Sequence, residues 1–359
     1  MFQTEGFHHV TVVSRDAGVT LRFYRDVLGF RLVKQTVNFD RPTTYHLYFA
    51  DATGSPGSIL TFFEWPDAAP GNYGLGGIHH IALSVPDEST QLKWKRRLTD
   101  AGVPVSGPYN RGYFTSIYFR DPDGLVLEIA TAGPGYATDE PADALGQSVK
   151  QPPPAQLPGY RDEAEIAALT HPEPVETITP DISITAIHHV TGFTDDAVAA
   201  GEFYERTLGL KLIKRSVNQD DPTTPHLFWA SYDGQTVKSG SSLTMFEWPS
   251  RARRAREGVG QTHHIAYRAK DEEQLGAWRE HLLSIGIGVS EIRDRSYFKS
   301  IYFNAPDGLL FEIATDPPGF AIDEEVDALG SELRLPSWLA DQQDAIRRGL
   351  KPLETAAGR

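Results

Sequence analysis

The chain repeats itself, and that limits what it can fold into more than any single motif does. Residues 78–146 align without a gap on 262–330, with about half the positions identical; the shared runs include HHIA, SIYF, PDGL, EIAT and DALG. The opening segments match as well, with HHVT at His8–Thr11 and His188–Thr191, then TFFEWP at Thr61–Pro66 and TMFEWP at Thr244–Pro249. Each half divides again into two quarters that open on a strand carrying a histidine pair. In the first quarter Phe7–Ser14 reads as a strand and Ala17–Leu28 as an amphipathic helix stopped by Gly29. Arg31–Val37, His46–Ala50 and Ile59–Trp65 follow as strands. The second quarter repeats the order, with a strand at Ile78–Val85, a helix at Glu88–Ala101 and strands near Val105, Thr115–Phe119 and Leu125–Ala130. The pattern is βαβββ four times. Runs of three consecutive strands favour antiparallel neighbours, so the class is α+β and not a doubly wound parallel sheet.

The duplication sets the organisation: an N-terminal half over 1–133, a Pro-rich connector over 134–180, a C-terminal half over 181–332 and a tail over 333–359. Short helices are expected at Asp162–Leu169 in the connector and around Ser337–Arg348 in the tail, the latter as a cover for a sheet edge. The chain has no cysteine, which excludes disulfides, thiolate metal sites and a Cys nucleophile. A net charge of −14 argues against nucleic acid or an anionic membrane surface as partner. No apolar run approaches the roughly 18–20 residues of a membrane span, and no secretory or transit signal opens the chain. The expected setting is the cytoplasm.

Eight of the 12 histidines fall in four pairs, one per module: His8/His9, His79/His80, His188/His189 and His263/His264. A strand sends successive side chains to opposite faces, so each pair is expected to put one imidazole on the inner face of its sheet and the other outside it or in a second layer. Glu128 in LVLEIA and Glu312 in LLFEIA stand inside otherwise apolar strands. A carboxylate buried there is costly unless it is paired or holds a metal. By alternation Glu312 shares a face with Leu310 and Ala314. In the first and third modules the matching position falls on Thr61 and Thr244, which leaves Glu64 and Glu247 on the opposite face as structural groups. His46 and His226 recur on the third strands and are expected to hydrogen-bond there. Two imidazoles and one carboxylate suit Fe(II), Mn(II) or Zn(II), and a three-ligand facial set leaves positions open for substrate and oxygen. A fourth protein ligand would instead suit a glyoxalase-like isomerase or lyase. A small-molecule binding protein is the remaining alternative, although a binding cup has no need of metal ligands.

With HHVT, TVNFD (Thr36–Asp40), THHIA (Thr262–Ala266) and the run RDRSYFKSIYFNAPDGLLFEIATDPPGFAIDE (Arg293–Glu324), the chain resembles the hydroquinone ring-cleaving dioxygenases. These are the MhqO and dichlorohydroquinone 1,2-dioxygenase types of the vicinal oxygen chelate superfamily, and the resemblance covers nearly the whole chain. It implies two open mixed β-barrels, an Fe(II) ion (Mn(II) accepts the same ligands) and a small aromatic diol with O2 as substrates. A homo-oligomer is compatible with it. Carried over by motif, the implied ligands are His9, His264 and Glu312, surrounded by His8, Thr11, His263, Arg295 and Tyr302. The middle modules keep every equivalent, so a second metal site at His80, Glu128 and His189 is a further expectation. If consecutive modules pair instead, the same six residues regroup as His9/His80/Glu128 and His189/His264/Glu312.

Overall fold

The protein is described by a computed structural model covering residues 2–354. The first module supplies β1 (Phe7–Ser14), β2 (Arg31–Asn38), β3 (Arg41–Ala50) and β4 (Ile59–Glu64). The second supplies β5 (Ile78–Val85), β6 (Ser106–Asn110), β7 (Thr115–Arg120) and β8 (Val126–Thr131). The third gives β9 (Ile187–Thr194), β10 (Lys211–Asn218), β11 (Asp221–Ala230) and β12 (Ser242–Glu247). The fourth gives β13 (Thr262–Ala269), β14 (Arg293–Asp294), β15 (Phe298–Asn304) and β16 (Leu310–Pro318). Helices α1 (Ala17–Arg22), α2 (Glu88–Asp100), α4 (Ala197–Leu208) and α5 (Glu272–Ser284) follow the first strand of each module. The connector carries α3 (Glu163–Ala168), close to the expected span; in the tail the expected helix divides into a 3-10 helix over Ser337–Gln342 and α6 (Gln343–Gly349).

Each module helix starts at an aspartate, Asp16, Asp87, Asp196 or Asp271, whose side chain accepts a backbone N–H of the first turn. The first helix differs from the expected single stretch, because after Arg22 it continues as a π turn over Phe23–Val27. That turn carries the buried Phe23 and Tyr24, and the Tyr24 ring centroid lies 4.4 Å from that of Phe62 on β4. An aromatic pair seated on the sheet outweighs the poorer hydrogen bonding of a wider turn.

Among the described residues sixteen strands form two eight-stranded curled, mixed sheets. One has the order β14-β15-β16-β13-β1-β4-β3-β2, and the other β10-β11-β12-β9-β5-β8-β7-β6. The first module therefore shares a sheet with the fourth, and the second with the third; the consecutive pairing does not occur. Contacts divide the chain in the same way. Phe7–Asn72, Arg256–Asn304 and the segment from Leu309 onward form one compact unit, here the outer unit. Tyr73–Ala255, with the residues before Phe7 and Ala305–Gly308, forms the inner unit. Helices cover one face of each sheet, where Trp94 of α2 and Trp278 of α5 are among the largest fully buried side chains. The other face lines a cavity.

The repeated DE and DALG motifs close each sheet. Lys34 on β2 is fully buried, with Nζ 2.5 Å from Asp323 Oδ1 and bonded to Glu324. Its counterpart Lys214 on β10 lies 2.6 Å from Asp139 Oδ1 and 2.7 Å from Glu140 Oε2. Beyond these pairs Arg334 N donates to Gln35 O and Lys150 N to Arg215 O, so a short extended segment covers each exposed strand edge. Gly330 permits this approach: at φ +73° it would place a Cβ 2.0 Å from Leu32 O.

Two outcomes follow for stability. Lys34→Met leaves the buried Glu324 carboxylate with only the half-exposed Arg334, 3.8 Å away, and should cost about 3–5 kcal/mol in denaturant titration. Burial alone would raise the Glu140 carboxyl, but Lys214 and the Ser148 N–H and hydroxyl bring it down from 4.5 to about 2. The folded value lies below the ordinary one, so this contribution is present above pH 4.5 and lost as pH falls from there toward 2. Glu140→Gln should flatten the loss of thermal stability over that window, and an unchanged slope would discount the pair.

Candidate metal centres

In the outer unit β1 and β13 run antiparallel, with Thr11 opposite His264 and His9 opposite Ala266. Parallel pairing then sets Glu312 of β16 beside Ala266, and Thr61 of β4 beside Thr11. This register puts His9, His264 and Glu312 on one face around one point. His264 Nε2 lies 2.8 Å and His9 Nε2 3.2 Å from Glu312 Oε2, and the two nitrogens are 3.3 Å apart. Glu312 is 0% exposed, and although both imidazoles are close, its Oε2 has no hydrogen-bond partner. Burial would raise the carboxyl, but the adjacent His9 and His264 hold it well below the usual range. Burial also lowers His264 despite that carboxylate. Cation binding needs the carboxylate ionised and an unprotonated nitrogen on each imidazole.

The surroundings fix the donors. His8 Nδ1 is 2.8 Å from His9 Nδ1, and His263 Nδ1 is 2.7 Å from His264 Nδ1. When the ligand imidazole donates from Nδ1, its Nε2 lone pair is left for the centre. Tyr302 OH donates to Glu312 Oε1 at 2.9 Å and receives Arg295 Nε at 3.1 Å. Burial, then Glu312, hold the Tyr302 phenol well above its ordinary value, so it remains a donor at neutral pH. Thr61 Oγ1 meets Thr11 Oγ1 at 2.9 Å and His46 Nε2 at 2.8 Å. Of these residues all but His8 and Thr61 line a cavity of about 390 Å³.

The residues singled out in the sequence take up distinct places. Thr11, His263, Arg295 and Tyr302 line the cavity, whereas His8 stands behind His9 with its ring 5.0 Å from Phe298. His46 makes the expected hydrogen bonds and also lines the cavity. Glu64 accepts from Ala17 N at 2.9 Å and Tyr45 N at 3.3 Å, a structural role. Sequence reading missed Tyr48, Phe39 and Arg293 in the cavity wall, and Ser300 beside Tyr302. Arg293 was within reach, since strand alternation in RDR places it on the face of Arg295.

The inner unit repeats the arrangement from β5, β8 and β9. His80 lies opposite Thr191, His189 opposite Ala82, and Glu128 beside Ala82. Glu128 Oε2 is 2.9 Å from His80 Nε2 and 3.5 Å from His189 Nε2. Ser116 Oγ donates to Glu128 Oε1 at 2.5 Å. The adjoining cavity measures about 440 Å³.

Residues 6–129 and 186–313 match the Glyoxalase/Bleomycin resistance protein/Dioxygenase superfamily, and the chain belongs to it. Within that superfamily its full-length relatives are named as ring-cleaving dioxygenases. MhqA of Bacillus subtilis, so named, is 34% identical over 356 residues, which is 98% of this chain and 100% of MhqA. A chlorohydroquinone/hydroquinone 1,2-dioxygenase of Sphingobium indicum is 26% identical over 356 residues, 96% of each chain. The crystal structure of a Bacillus subtilis protein described as a dioxygenase has a TM-score of 0.78 at 33% identity, over 100% of both chains. Glyoxalase I from Zea mays shares the fold, with a TM-score of 0.55 at 15% identity over 87% of this chain and 92% of its own.

A cation that binds these donors only in the folded state adds stability by mass action, about 2.7 kcal/mol at 100 times its Kd. Fe(II) added anaerobically should therefore raise the melting temperature, and Glu312→Ala should lose part of that rise. An identical rise in the variant would mean that Glu312 holds no cation.

Proposed function

We propose that the outer unit is the active centre of an Fe(II)-dependent, cytoplasmic ring-cleaving dioxygenase. Its substrates on this reading are O2 and a hydroquinone-like or catechol-like diol. One observation carries it: a buried set of two imidazoles and one carboxylate with an orphaned oxygen, at the floor of an aromatic-lined cavity. Thr61 occupies the strand position that Glu312 has in the last module. That substitution weighs against the isomerase alternative, because it removes the natural source of a fourth ligand. The full-length relatives named as ring-cleaving dioxygenases support the same choice.

A bound Fe(II) ion would supply adjacent open positions for diol and O2 and the electron transfer between them. Both atoms of O2 end in the ring-opened product, so no external reductant is consumed. The chain's own groups do the rest. On this reading Tyr302 OH, which donates to Glu312, would turn its proton to a diol oxygen bound beside that carboxylate. Arg295 and Arg293, with guanidinium carbons 5.2 and 5.7 Å from the Tyr302 ring centroid, supply positive charge where the ring turns anionic. His263 sits at the rim with Nε2 3.4 Å from Glu257 Oε1, a position from which a proton can pass to or from the cavity. Phe39, Phe63 and Phe298 form apolar walls for the ring and keep water from it.

Oxygen uptake after anaerobic loading with Fe(II) tests the proposal, using a panel of hydroquinones and catechols. Metal-dependent uptake is expected, with loss in Glu312→Ala, and uptake by no diol in iron-loaded protein would reject it. Tyr302→Phe should lower kcat about 10–100-fold with iron retained; unchanged turnover would take Tyr302 out of the scheme.

A further inference from the structure

We propose that the inner unit is a second, separate divalent-cation site, held by His80, Glu128 and His189, so that a fully loaded chain carries two ions. The three donor atoms lie within 4.8 Å of one another, and all three side chains are buried. Glu128 is 0% exposed inside an apolar strand, and its Oε2 has no hydrogen-bond partner. A buried carboxylate kept for packing alone would be expected to take an arginine or lysine partner, since the penalty per unpaired ion is several kcal/mol. Here its ionic neighbours are the two imidazoles. The guanidinium of Arg111 is directed instead to Tyr118 OH at 3.2 Å, Gln219 Oε1 at 2.9 Å and Asp220 Oδ2 at 3.3 Å.

The groups behind the donors are also in place. His79 Nδ1 lies 2.8 Å from His80 Nδ1, and His188 Nδ1 2.8 Å from His189 Nδ1. These contacts match those behind His9 and His264, and they leave each inner Nε2 facing the carboxylate. Side chains have not filled the space in front of it: the cavity of about 440 Å³ reaches both imidazoles.

Divergence between the two units falls on the walls and spares the donors. Tyr48, Arg293 and Phe39 of the outer cavity are replaced at the equivalent inner positions by Phe228, Tyr109 and Gln219. The carboxylate support differs too, with Ser116 donating to Glu128 Oε1 where Tyr302 donates to Glu312 Oε1. A vestigial cup would be free to lose its ligands along with its walls. Where the outer cavity has Arg293 the inner one has Tyr109, and Arg120 lines the inner cavity instead.

The test is metal content. The full chain is loaded anaerobically with excess Fe(II) and in parallel with Co(II), desalted, and measured by plasma mass spectrometry against protein concentration. Two equivalents per chain are expected in the native protein, one in Glu128→Ala, one in Glu312→Ala and none in the double variant. Circular dichroism checks folding; Glu128→Gln and His189→Ala, which keep the strand's volume better or lie on a different strand, should give the same loss of one equivalent. Saturation at one equivalent, removed by Glu312→Ala and untouched by Glu128→Ala, overturns the proposal and leaves the outer centre standing. Two equivalents without oxygen uptake would keep the inner site and reject the dioxygenase reading, so the two failures are distinguishable.

Discussion

The antiparallel contact between the opening strands of paired modules is the constraint on which the rest depends. In the outer unit it is β1 on β13, in the inner unit β5 on β9. Each of these strands brings one imidazole to the seam, and the final strand beside β13 or β5 adds the carboxylate. A slip of one residue would carry the imidazoles off the point that they share with the carboxylate. The hydrophobic alternation that packs α5 or α2 on the far face therefore also sets the donor geometry. Fold stability and site chemistry are specified by the same register.

That seam relates its two modules by approximate twofold symmetry, and the break in the symmetry carries chemical meaning. His9 answers to His264, but Thr61 answers to Glu312. The hydroxyl of Thr61 is not idle, since it ties Thr11 to His46 across three strands. Thr244 does the same between Thr191 and His226 in the inner unit. One side of each centre is thus built from hydroxyls and a neutral imidazole, the other from an anionic donor. Burial, and then the neighbouring His9, keep His46 well below its ordinary value, which suits a neutral link of this kind.

Much of this was legible in the chain. The repeat gave the module count, alternation gave the face of Glu312, and the alignment of TFF with EIA set Thr61 at the carboxylate position; the histidine pairs depart from alternation, because bulges at His8 and His263 bring the two rings of a pair together. The pairing of modules was not legible, because either pairing assembles the same six donors and sequence periodicity carries no information on which copy is the partner. The π turn at Phe23–Val27 was hidden for a similar reason: its cause is the seat of Tyr24 on Phe62, a contact between distant residues. The role of the DE motif was also out of reach. Nothing local marks Lys34 as a fully buried cation whose partners lie 289 and 290 residues away.

The nesting of one module pair inside the other has a consequence for how the chain comes off the ribosome. Every strand of the inner sheet lies between Ile78 and Glu247, so that sheet can be complete while the last module is still unmade. The seam of the outer sheet joins His9 to His264, 255 residues later. At typical elongation rates that interval is roughly ten seconds to a minute. Throughout it β1 has an unpaired edge and three exposed polar side chains of its future centre, His8, His9 and Thr11. The first strand made is among the last to find its place, and the nascent protein passes through a stage in which one sheet is finished and the other is half a barrel.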